Sequence, residues 1–184
     1  MKKMLLHSCC GPCSTAVIEK LIDEFDLVVY YYNPNIFPKE EYFHRLQEQK
    51  RFLKQKYGDK IALIEGEWDC ETFRNISKGL ELEKEGGSRC AICFRMRLEG
   101  TAKFAKENGF DIFTTTLSVS PYKNHNLLNE IGNELSIKYQ VEYYNANFKK
   151  NDGYKRSVEL SKSFDLYRQN YCGCEFSFKS LTGE

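Results

Sequence analysis

The sequence lacks any apolar run long enough to cross a membrane or to form the core of a signal peptide. Near the N-terminus, only Met4, Leu5 and Leu6 stand together before polar residues begin. We therefore expect a cytoplasmic protein with no membrane partner. Disulfides are rare in that reducing compartment, so the 8 cysteines are expected to be metal ligands or redox groups.

The chain also lacks an excess of charge of either sign, with 27 Lys and Arg residues against 26 Asp and Glu residues. A net charge of +1 gives no sign of nucleic-acid binding through bulk electrostatics, so any RNA contact must be local. Two segments are locally basic, residues 39–60 and 149–179. For each of them a solvated helix face is the simpler interpretation.

Two common phosphate-binding loops are missing. The turn after the first predicted strand has neither the Gly-rich dinucleotide fingerprint nor a Walker A loop. If the fold is a nucleotide-binding one, cysteines occupy the place of the phosphate loop. Lys123, which follows Ser120 and Pro121, is either a phosphate contact or a surface lysine.

What the chain has is a regular alternation of apolar strand patterns and amphipathic helix patterns. The predicted strands are residues 3–7, 26–32, 61–64, 111–115 and 141–144. The predicted helices begin at a Ser14 cap and then cover residues 39–57, 71–78, 90–108, 126–139 and 154–164. This order predicts one α/β domain over residues 1–184, a Rossmann-like parallel sheet of the nucleotide alpha-hydrolase-like type with helices on both faces.

In such sheets, ligands bind beyond the carboxyl ends of the strands, near the point where the strand order reverses. The loops that follow the predicted strands here contain the Cys9 turn, the Asn33 turn, Asp69 with Cys70, and the hydroxyl-rich segment 114–120. The fold rule and the chemistry therefore indicate the same edge of the sheet.

Three cysteines, Cys9, Cys10 and Cys13, lie on one turn around a Gly-Pro pair. So many thiols on one turn leave little side-chain volume for a core, which favours a metal or redox site. Neighbouring cysteines in an irregular turn can also point at two different centres. We therefore regard this turn as the organising site of the chain.

Four further cysteines form two close pairs. Cys90 and Cys93 are three apart in a helical pattern, which places their Cβ atoms about 5–6 Å apart on one face. Nearby arginines favour the ligating thiolate form, although a thiol-disulfide redox pair is the alternative. Cys172 and Cys174 flank a glycine in the C-terminal tail, where a structural zinc clasp is the alternative.

The number of thiols exceeds what one tetrahedral zinc site needs. An iron-sulfur cluster, with a second metal sharing the ligands, accounts for the surplus better. Cys70 stands alone and is interpreted as a core cysteine. Asp69 is either a ligand for a harder metal ion or a helix cap, and the three histidines form no ligand spacing.

Taken together, these segments resemble the cobalamin-independent epoxyqueuosine reductases of the QueH type. The resemblance spans nearly the whole chain and is carried by residues 7–13 (HSCCGPC), 32–36 (YNPNI), 89–94 (RCAICF), 113–121 (FTTTLSVSP), 153–157 (GYKRS) and 166–174 (LYRQNYCGC). It implies reduction of the epoxide of epoxyqueuosine to queuosine at the wobble position of a tRNA anticodon. It also implies a [4Fe–4S] cluster with an adjacent mononuclear metal ion, iron, an external electron donor and no cobalamin.

Carried over to this chain, the resemblance implies a set of metal ligands: Cys9, Cys10, Cys90, Cys93, Cys172 and Cys174, with Asp69 as a further candidate. Cys13 is a candidate catalytic residue, as a proton donor, a ligand or a neighbour that tunes the potential. An everted base needs stacking aromatics and local positive charge. The candidates for substrate binding are Tyr32, Asn33, Lys123, Arg156 and Arg168, along with several other tyrosines that include Tyr122.

Two rival functions remain from the residues alone. One is an iron-sulfur tRNA-thiolating enzyme on an ATP-pyrophosphatase fold, which needs a Ser-Gly-Gly-x-Asp-Ser type of loop that residues 9–14 do not provide. The other is a non-enzymatic zinc module that binds RNA, which the surplus of cysteines disfavours.

Overall fold

Five parallel strands form one sheet in the computed structural model, which describes residues 1–183. The strands are β1 (Lys3–His7), β2 (Asp26–Tyr31), β3 (Ala62–Glu65), β4 (Ile112–Thr115) and β5 (Glu142–Tyr143). The helices are α1 (Gly11–Leu21), α2 (Lys39–Tyr57), α3 (Cys70–Ile76), α4 (Ser88–Glu107), α5 (His125–Tyr139), α6 (Gly153–Ser163) and α7 (Glu175–Thr182), and a 3-10 turn, Thr116–Val119, follows β4. Among these helices, none combines the length and the apolarity that crossing a membrane requires.

The strand order is β3-β2-β1-β4-β5, so the order reverses between β1 and β4. Leu5 at the centre of β1 pairs with Val28 on one side and with Phe113 on the other. The prediction of a parallel α/β sheet is therefore confirmed. The loops after β1 and β4 meet at the switch point, where ligands bind in this architecture.

Alternate residues of the central strands pack into two separate cores, one on each face of the sheet. Leu5, Val28 and Phe113 contact the apolar face of α4 and α5. Met4, Leu6 and their neighbours contact α1 and α2 on the other face. Because both faces are covered, β1 and β2 read as continuous apolar runs rather than as alternating patterns.

Helix α1 begins three residues before the predicted Ser14 cap, and that prediction is wrong. Cys10 occupies the N-cap position in extended conformation, and Pro12 lies in the first turn of the helix. Proline is suited to that turn because it has no N–H to satisfy and its φ is already helical. The Ser14 hydroxyl instead donates to the Gly11 carbonyl oxygen at 2.8 Å.

The C-terminal tail returns to the loop after β2. The Phe37 amide donates to the Gly173 carbonyl at 2.7 Å, and Ile36 forms an isolated antiparallel bridge with Cys174. Gly173 has a φ of 120°, and a Cβ added there would lie 2.9 Å from Arg45 Nη1. Only glycine adopts this conformation beside the arginine without strain, so the Cys-x-Cys spacing depends on Gly173.

Candidate metal centre

The turn from β1 into α1 brings three thiols into one group. The ligand atoms of Cys9, Cys10 and Cys13 all lie within 4.8 Å of one another, and the Cys9 and Cys10 sulfurs are 3.7 Å apart. Cys9 and Cys10 are buried, whereas Cys13 is half-buried. In the described part of the chain, no other group of three potential ligands is this compact.

The pKa values of these three thiols are shifted in different directions. Hydrogen bonds from Cys10 and Cys13 hold the pKa of Cys9 well below its usual value, against the effect of burial. The same hydrogen bonds, to Cys10 first and then to Cys9, raise the pKa of Cys13, and burial adds to that effect. Cys9 is therefore the thiol of the group that most readily forms the thiolate, which is the form that binds metal.

Polar side chains from distant segments hold this group in place. The Thr116 hydroxyl lies 3.7 Å from Cys9 Sγ, and Gln169 Nε2 donates to Cys10 Sγ at 3.2 Å. Behind the turn, the His7 ring is within hydrogen-bond distance of Thr115 Oγ1 on β4 (2.8 Å) and of the Tyr32 carbonyl (2.9 Å). Burial lowers the pKa of His7 to about 3, so the ring is neutral and structural.

The other two cysteine pairs converge on a second position. Cys93 of α4 and Cys174 of the tail pack together against Phe73, and both are buried. Burial raises the pKa of Cys93 to about 12 and that of Cys174 to about 11, and the charge of Cys172 adds to both shifts. Burial also raises the pKa of Cys90, against a hydrogen bond from the Gly86 amide, and the charge of Cys172 adds to the rise. Four sulfurs thus influence one another, although they are spread more widely than the first three.

Backbone contacts fix the second set. Cys90 Sγ accepts a hydrogen bond from the Gly86 amide at 3.2 Å, and Cys174 Sγ accepts one from the Ser177 amide at 3.4 Å at the start of α7. The buried Arg45 donates through Nη1 to the Cys172 carbonyl at 3.2 Å. Sulfurs that accept backbone hydrogen bonds are stabilised as thiolates, as cluster ligands require.

Two cations lie between the cysteine sets. Burial opposes the charge of Arg97, but Cys93, Cys9 and Cys172 outweigh it and raise the pKa of the guanidinium. Burial also opposes the charge of Lys123, and Cys172, Cys9 and Cys13 raise the pKa of that amine. Both side chains line the same cavity as Cys9, Cys13 and Cys172, so cysteines of the two sets face the same pair of cations.

A cavity of about 650 Å³ lies at this edge of the sheet. Cys9, Cys13 and Cys172 belong to its wall, so thiols from both sets face it. The opposite parts of the wall come from the segment after β4, the start of α6 and the tail. A volume in this range accepts one small molecule or one nucleobase.

The residues present fit a cysteine-ligated metal centre. Soft thiolate donors are the ligands that iron-sulfur clusters use, and seven of the eight cysteines lie in the two sets. Several buried polar atoms lack a hydrogen-bond partner among residues 1–183, including Arg97 Nε, Gln169 Oε1 and both amide atoms of Asn35. Unpaired buried polar atoms are rare in folded proteins, and two of these belong to side chains that contact cysteine sulfurs, Arg97 with Cys93 and Gln169 with Cys10.

Asp69 and Cys70 lie at the start of α3. Asp69 is the N-cap, and its Oδ1 accepts a hydrogen bond from the Thr72 amide at 3.1 Å. The Thr72 hydroxyl donates to the other carboxylate oxygen, and these bonds lower the pKa of Asp69. The carboxylate thus performs the capping role that the sequence left open, and its role as a ligand stays a prediction. Cys70 is buried next to it, and burial raises its pKa.

Tyr32 and Asn33 follow β2 and are both held by protein contacts. The Tyr32 ring stacks on Tyr30, with ring centroids 5.6 Å apart. Asn33 is fully buried, donates to the Ser8 carbonyl at 2.9 Å and accepts from Arg97 Nη2 at 2.7 Å. Neither residue is part of the cavity wall as the structure describes it. Their contact with substrate stays a prediction.

The three basic residues predicted to bind substrate are placed differently. Lys123 and Arg168 are part of the cavity wall. Arg156 is on α6, where its Nε donates to Glu19 of α1 at 2.8 Å. This ion pair ties two helices together, and a contact between Arg156 and substrate is not tested.

The structure also places at the site three residues to which the sequence assigned no ligand, catalytic or substrate-binding role of their own. Thr116 and Gln169 contact the sulfurs of the first set, and Arg97 connects the two sets. The signal for Thr116 was its position directly after β4, at the switch point of the sheet. The signal for Arg97 was its place among the arginines near Cys90 and Cys93, although its bond to Asn33 could not be expected. Gln169 carries no comparable signal, because Cys10 is 159 residues away in the sequence.

Comparison with known proteins identifies relatives along almost the entire chain. The family model described as epoxyqueuosine reductase QueH matches residues 4–180. The epoxyqueuosine reductase QueH of Staphylococcus epidermidis is 45% identical over 180 residues, which is 95% of this chain and 76% of that protein. The protein of the same name from Thermotoga maritima is 36% identical over 182 residues, 96% of this chain and 91% of that protein.

A solved structure shares the fold. It is described as a predicted subunit of tRNA methyltransferase from Methanocaldococcus jannaschii, with a TM-score of 0.54, 15% identity, and coverage of 86% of this chain and 74% of that chain. Identity this low supports the architecture alone. The sequence relatives and the family model go further, and they show that the chain belongs to the QueH family of epoxyqueuosine reductases.

Proposed function

We propose that this protein reduces epoxyqueuosine to queuosine at the wobble position of a tRNA anticodon. The reaction takes up two electrons and two protons, breaks both C–O bonds of the epoxide, and yields an alkene and one water molecule. The observation that carries the proposal is the convergence of two cysteine sets on one cavity at the switch point of the sheet. Membership of the QueH family supports the same reaction.

The cysteines of both sets are the proposed ligands of a [4Fe–4S] cluster and an adjacent iron ion: Cys9, Cys10, Cys90, Cys93, Cys172 and Cys174, with Asp69 as a further candidate. When bound, these groups supply electrons one at a time and a Lewis acid for the epoxide oxygen. Cobalamin is not part of the proposal. An external one-electron donor delivers the two electrons.

The chain's own groups position the substrate and move protons. Cys13 is the one half-buried thiol of the first set and faces the cavity, so we assign it the delivery of a proton to the departing oxygen. Lys123 and Arg168 on the cavity wall supply positive charge for the RNA backbone or for the departing oxygen. Cys10 is fully buried and lies outside the cavity wall, so its sulfur is shielded from water, whereas Cys9 is open only to the cavity.

Two tyrosines on the cavity wall suit the unpaired bases of an anticodon loop. Tyr122 follows the 3-10 turn and is 80% exposed, and Tyr154 lies at the start of α6 and is 37% exposed. Exposed aromatic rings stack on bases in most single-strand RNA sites. With the target base everted into the cavity, neighbouring bases are within reach of these rings.

The test is an anaerobic reconstitution followed by a tRNA assay. Purified protein is loaded with iron and sulfide, its metal content and visible spectrum are measured, and it is incubated with dithionite and tRNA containing epoxyqueuosine. We expect a brown protein bleached by dithionite, and a modified nucleoside that loses one oxygen atom by mass spectrometry. The Cys93→Ser variant should lose iron and activity, whereas Cys70→Ala should keep both.

Two results would contradict the proposal. A protein that binds one zinc ion and no sulfide, even after reconstitution, would point to a structural zinc module. A protein that binds the cluster but leaves the epoxide intact and transfers sulfur to tRNA would point to a thiolating enzyme.

A further inference from the structure

Arg97 is a buried cation that has no carboxylate partner among the residues that the structure describes. Its side chain lies on α4 with 2% of its surface exposed. No carboxylate oxygen of residues 1–183 lies within 4.0 Å of its guanidinium, whereas Arg45, which is buried to a similar extent, is paired with Glu41. A buried charge without a counter-charge is strongly destabilising, so another anion has to compensate Arg97.

The groups around Arg97 identify that anion. Nη1 lies 4.0 Å from Cys93 Sγ, one helical turn earlier on α4, while Nη2 donates to Asn33. Nε is buried without an acceptor in the described residues. Arg97 also lines the same cavity as Cys9 and Cys172, so the guanidinium lies near sulfurs of both cysteine sets. As metal ligands these sulfurs are thiolates, and they then supply the counter-charge.

Asn33 holds the guanidinium in this position. Its Nδ2 donates to the Ser8 carbonyl beside the first cysteine set, so its Oδ1 is left to accept from Arg97. The amide cannot turn over without losing both bonds, because an oxygen would then face the Ser8 carbonyl. A single hydrogen-bonded chain therefore runs from the turn after β1 to α4.

We propose that Arg97 is a positioning residue whose permanent positive charge compensates the thiolates of both cysteine sets and raises the reduction potential of the metal centre that they hold. This inference rests on the proposed function only in that the cysteines carry the cluster. Adding an electron makes such a centre more negative. A fixed cation nearby stabilises the reduced form more than the oxidised form.

The test is a reductive titration of the reconstituted protein, with redox mediators and dithionite, followed by visible absorption. Arg97→Gln removes the charge and should shift the reduced-to-oxidised ratio at least tenfold toward the oxidised form. For a one-electron couple this corresponds to a reduction potential that is lower by about 59 mV. Arg97→Lys keeps the charge, so its reduction potential should lie close to the wild-type value. Arg95→Gln is the matched control on the same helix, since Arg95 is half-exposed and paired with Glu134.

A second variant covers the case in which Arg97→Gln does not fold or load. Asn33→Asp keeps the arginine and the size of its neighbour, but it places a carboxylate against Nη2. The potential should again fall. Equal potentials in wild type, Arg97→Gln and Asn33→Asp would overturn the role of Arg97 while leaving the cluster in place. A wild-type protein that takes up no iron and sulfide would overturn the proposed function, and this inference with it.

Discussion

Gln169 and Cys10 are 159 residues apart in sequence, yet the Gln169 side-chain amide donates to the Cys10 sulfur at 3.2 Å. The same amide group has its oxygen buried without a partner among residues 1–183. Gln169 also belongs to the cavity wall. The C-terminal tail therefore closes over the first cysteine set and contributes a donor to one of its sulfurs.

Replacement of Gln169 should weaken metal binding. Groups that hydrogen-bond to metal ligands commonly account for about a 10- to 100-fold difference in metal affinity or activity. Gln169→Glu places a carboxylate against the Cys10 sulfur, so we expect a larger loss of bound iron than in Gln169→Ala. Iron and sulfide per chain after reconstitution provide the measurement. The neighbouring Asn170→Ala serves as the control, and equal iron content in all four proteins would contradict this role.

Much of the fold could be predicted because its signals are local. The continuous apolar runs of β1 and β2 indicate strands buried on both faces, and each is followed by a helical pattern. The fold rule then places the Cys9 turn at the switch point, beside Thr116. The start of α1 was the local signal that failed, because Pro12 rather than Ser14 marks its first turn.

The contacts that decide the chemistry of the site could not be predicted in the same way. Arg97 meets Asn33 across 64 residues, and no periodicity links the two. The resemblance makes Asn33 a candidate substrate contact, and the structure adds a fully buried side chain with both amide atoms in hydrogen bonds, which the sequence does not indicate. Such pairings follow from how one helix and two loops pack together, which a single sequence does not encode locally.

Removal of the Tyr122 ring should weaken tRNA binding without affecting folding. Base stacking on an aromatic ring contributes about 1–3 kcal/mol, which corresponds to about a 5- to 150-fold change in Kd. Tyr122→Ala should lose this contribution, and Tyr122→Phe should keep it. Fluorescence anisotropy with a labelled anticodon stem-loop measures the affinity. Ile137→Ala is the matched control, since Ile137 is 83% exposed and lies outside the cavity wall; an equal effect of both alanine variants would refute the stacking role.

Glu19 should make stability depend on pH in the acid range. A hydrogen bond from Arg156 of α6, then one from Lys56 of α2, lowers the pKa of Glu19 from 4.5 to about 2. Because the folded-state pKa is depressed, the stabilisation is present above about pH 4.5 and is lost as the pH falls toward 2. The side chain is 37% exposed, so solvent screening limits the contribution to about 0.5–1 kcal/mol.

Urea unfolding of wild type and Glu19→Gln at several pH values tests this dependence. The variant should be less stable near neutral pH, and the free energies of unfolding of the two proteins should converge as the pH falls toward 2. Asp59→Asn is the control, because Asp59 pairs with Lys54 on the surface and both side chains are largely exposed. If the difference in the free energy of unfolding between wild type and Glu19→Gln stayed the same near pH 2, the ion pairs could not be its cause.

Gly100 leaves room for the Tyr32 ring, and an added methyl group should be destabilising there. A Cβ at Gly100 would lie 2.3 Å from Tyr32 Cε1, and one at Gly66 would lie 2.7 Å from Tyr32 Cδ2. In an ordinary helix interior, Gly→Ala gains about 0.5–1 kcal/mol. Overpacking of a core costs about 1–3 kcal/mol, so we expect the steric effect to prevail and Gly100→Ala to be less stable than wild type.

A double-mutant cycle separates the steric effect from helix propensity. In a Tyr32→Leu background the ring is absent, so Gly100→Ala should no longer destabilise and should recover the propensity gain. The measured quantity is the free energy of unfolding in urea, with a coupling between the two sites of at least about 1 kcal/mol. If Gly100→Ala stabilised the wild-type protein, the ring would have to yield at little cost. The close approach of the Tyr32 ring would then not be what excludes a side chain at position 100.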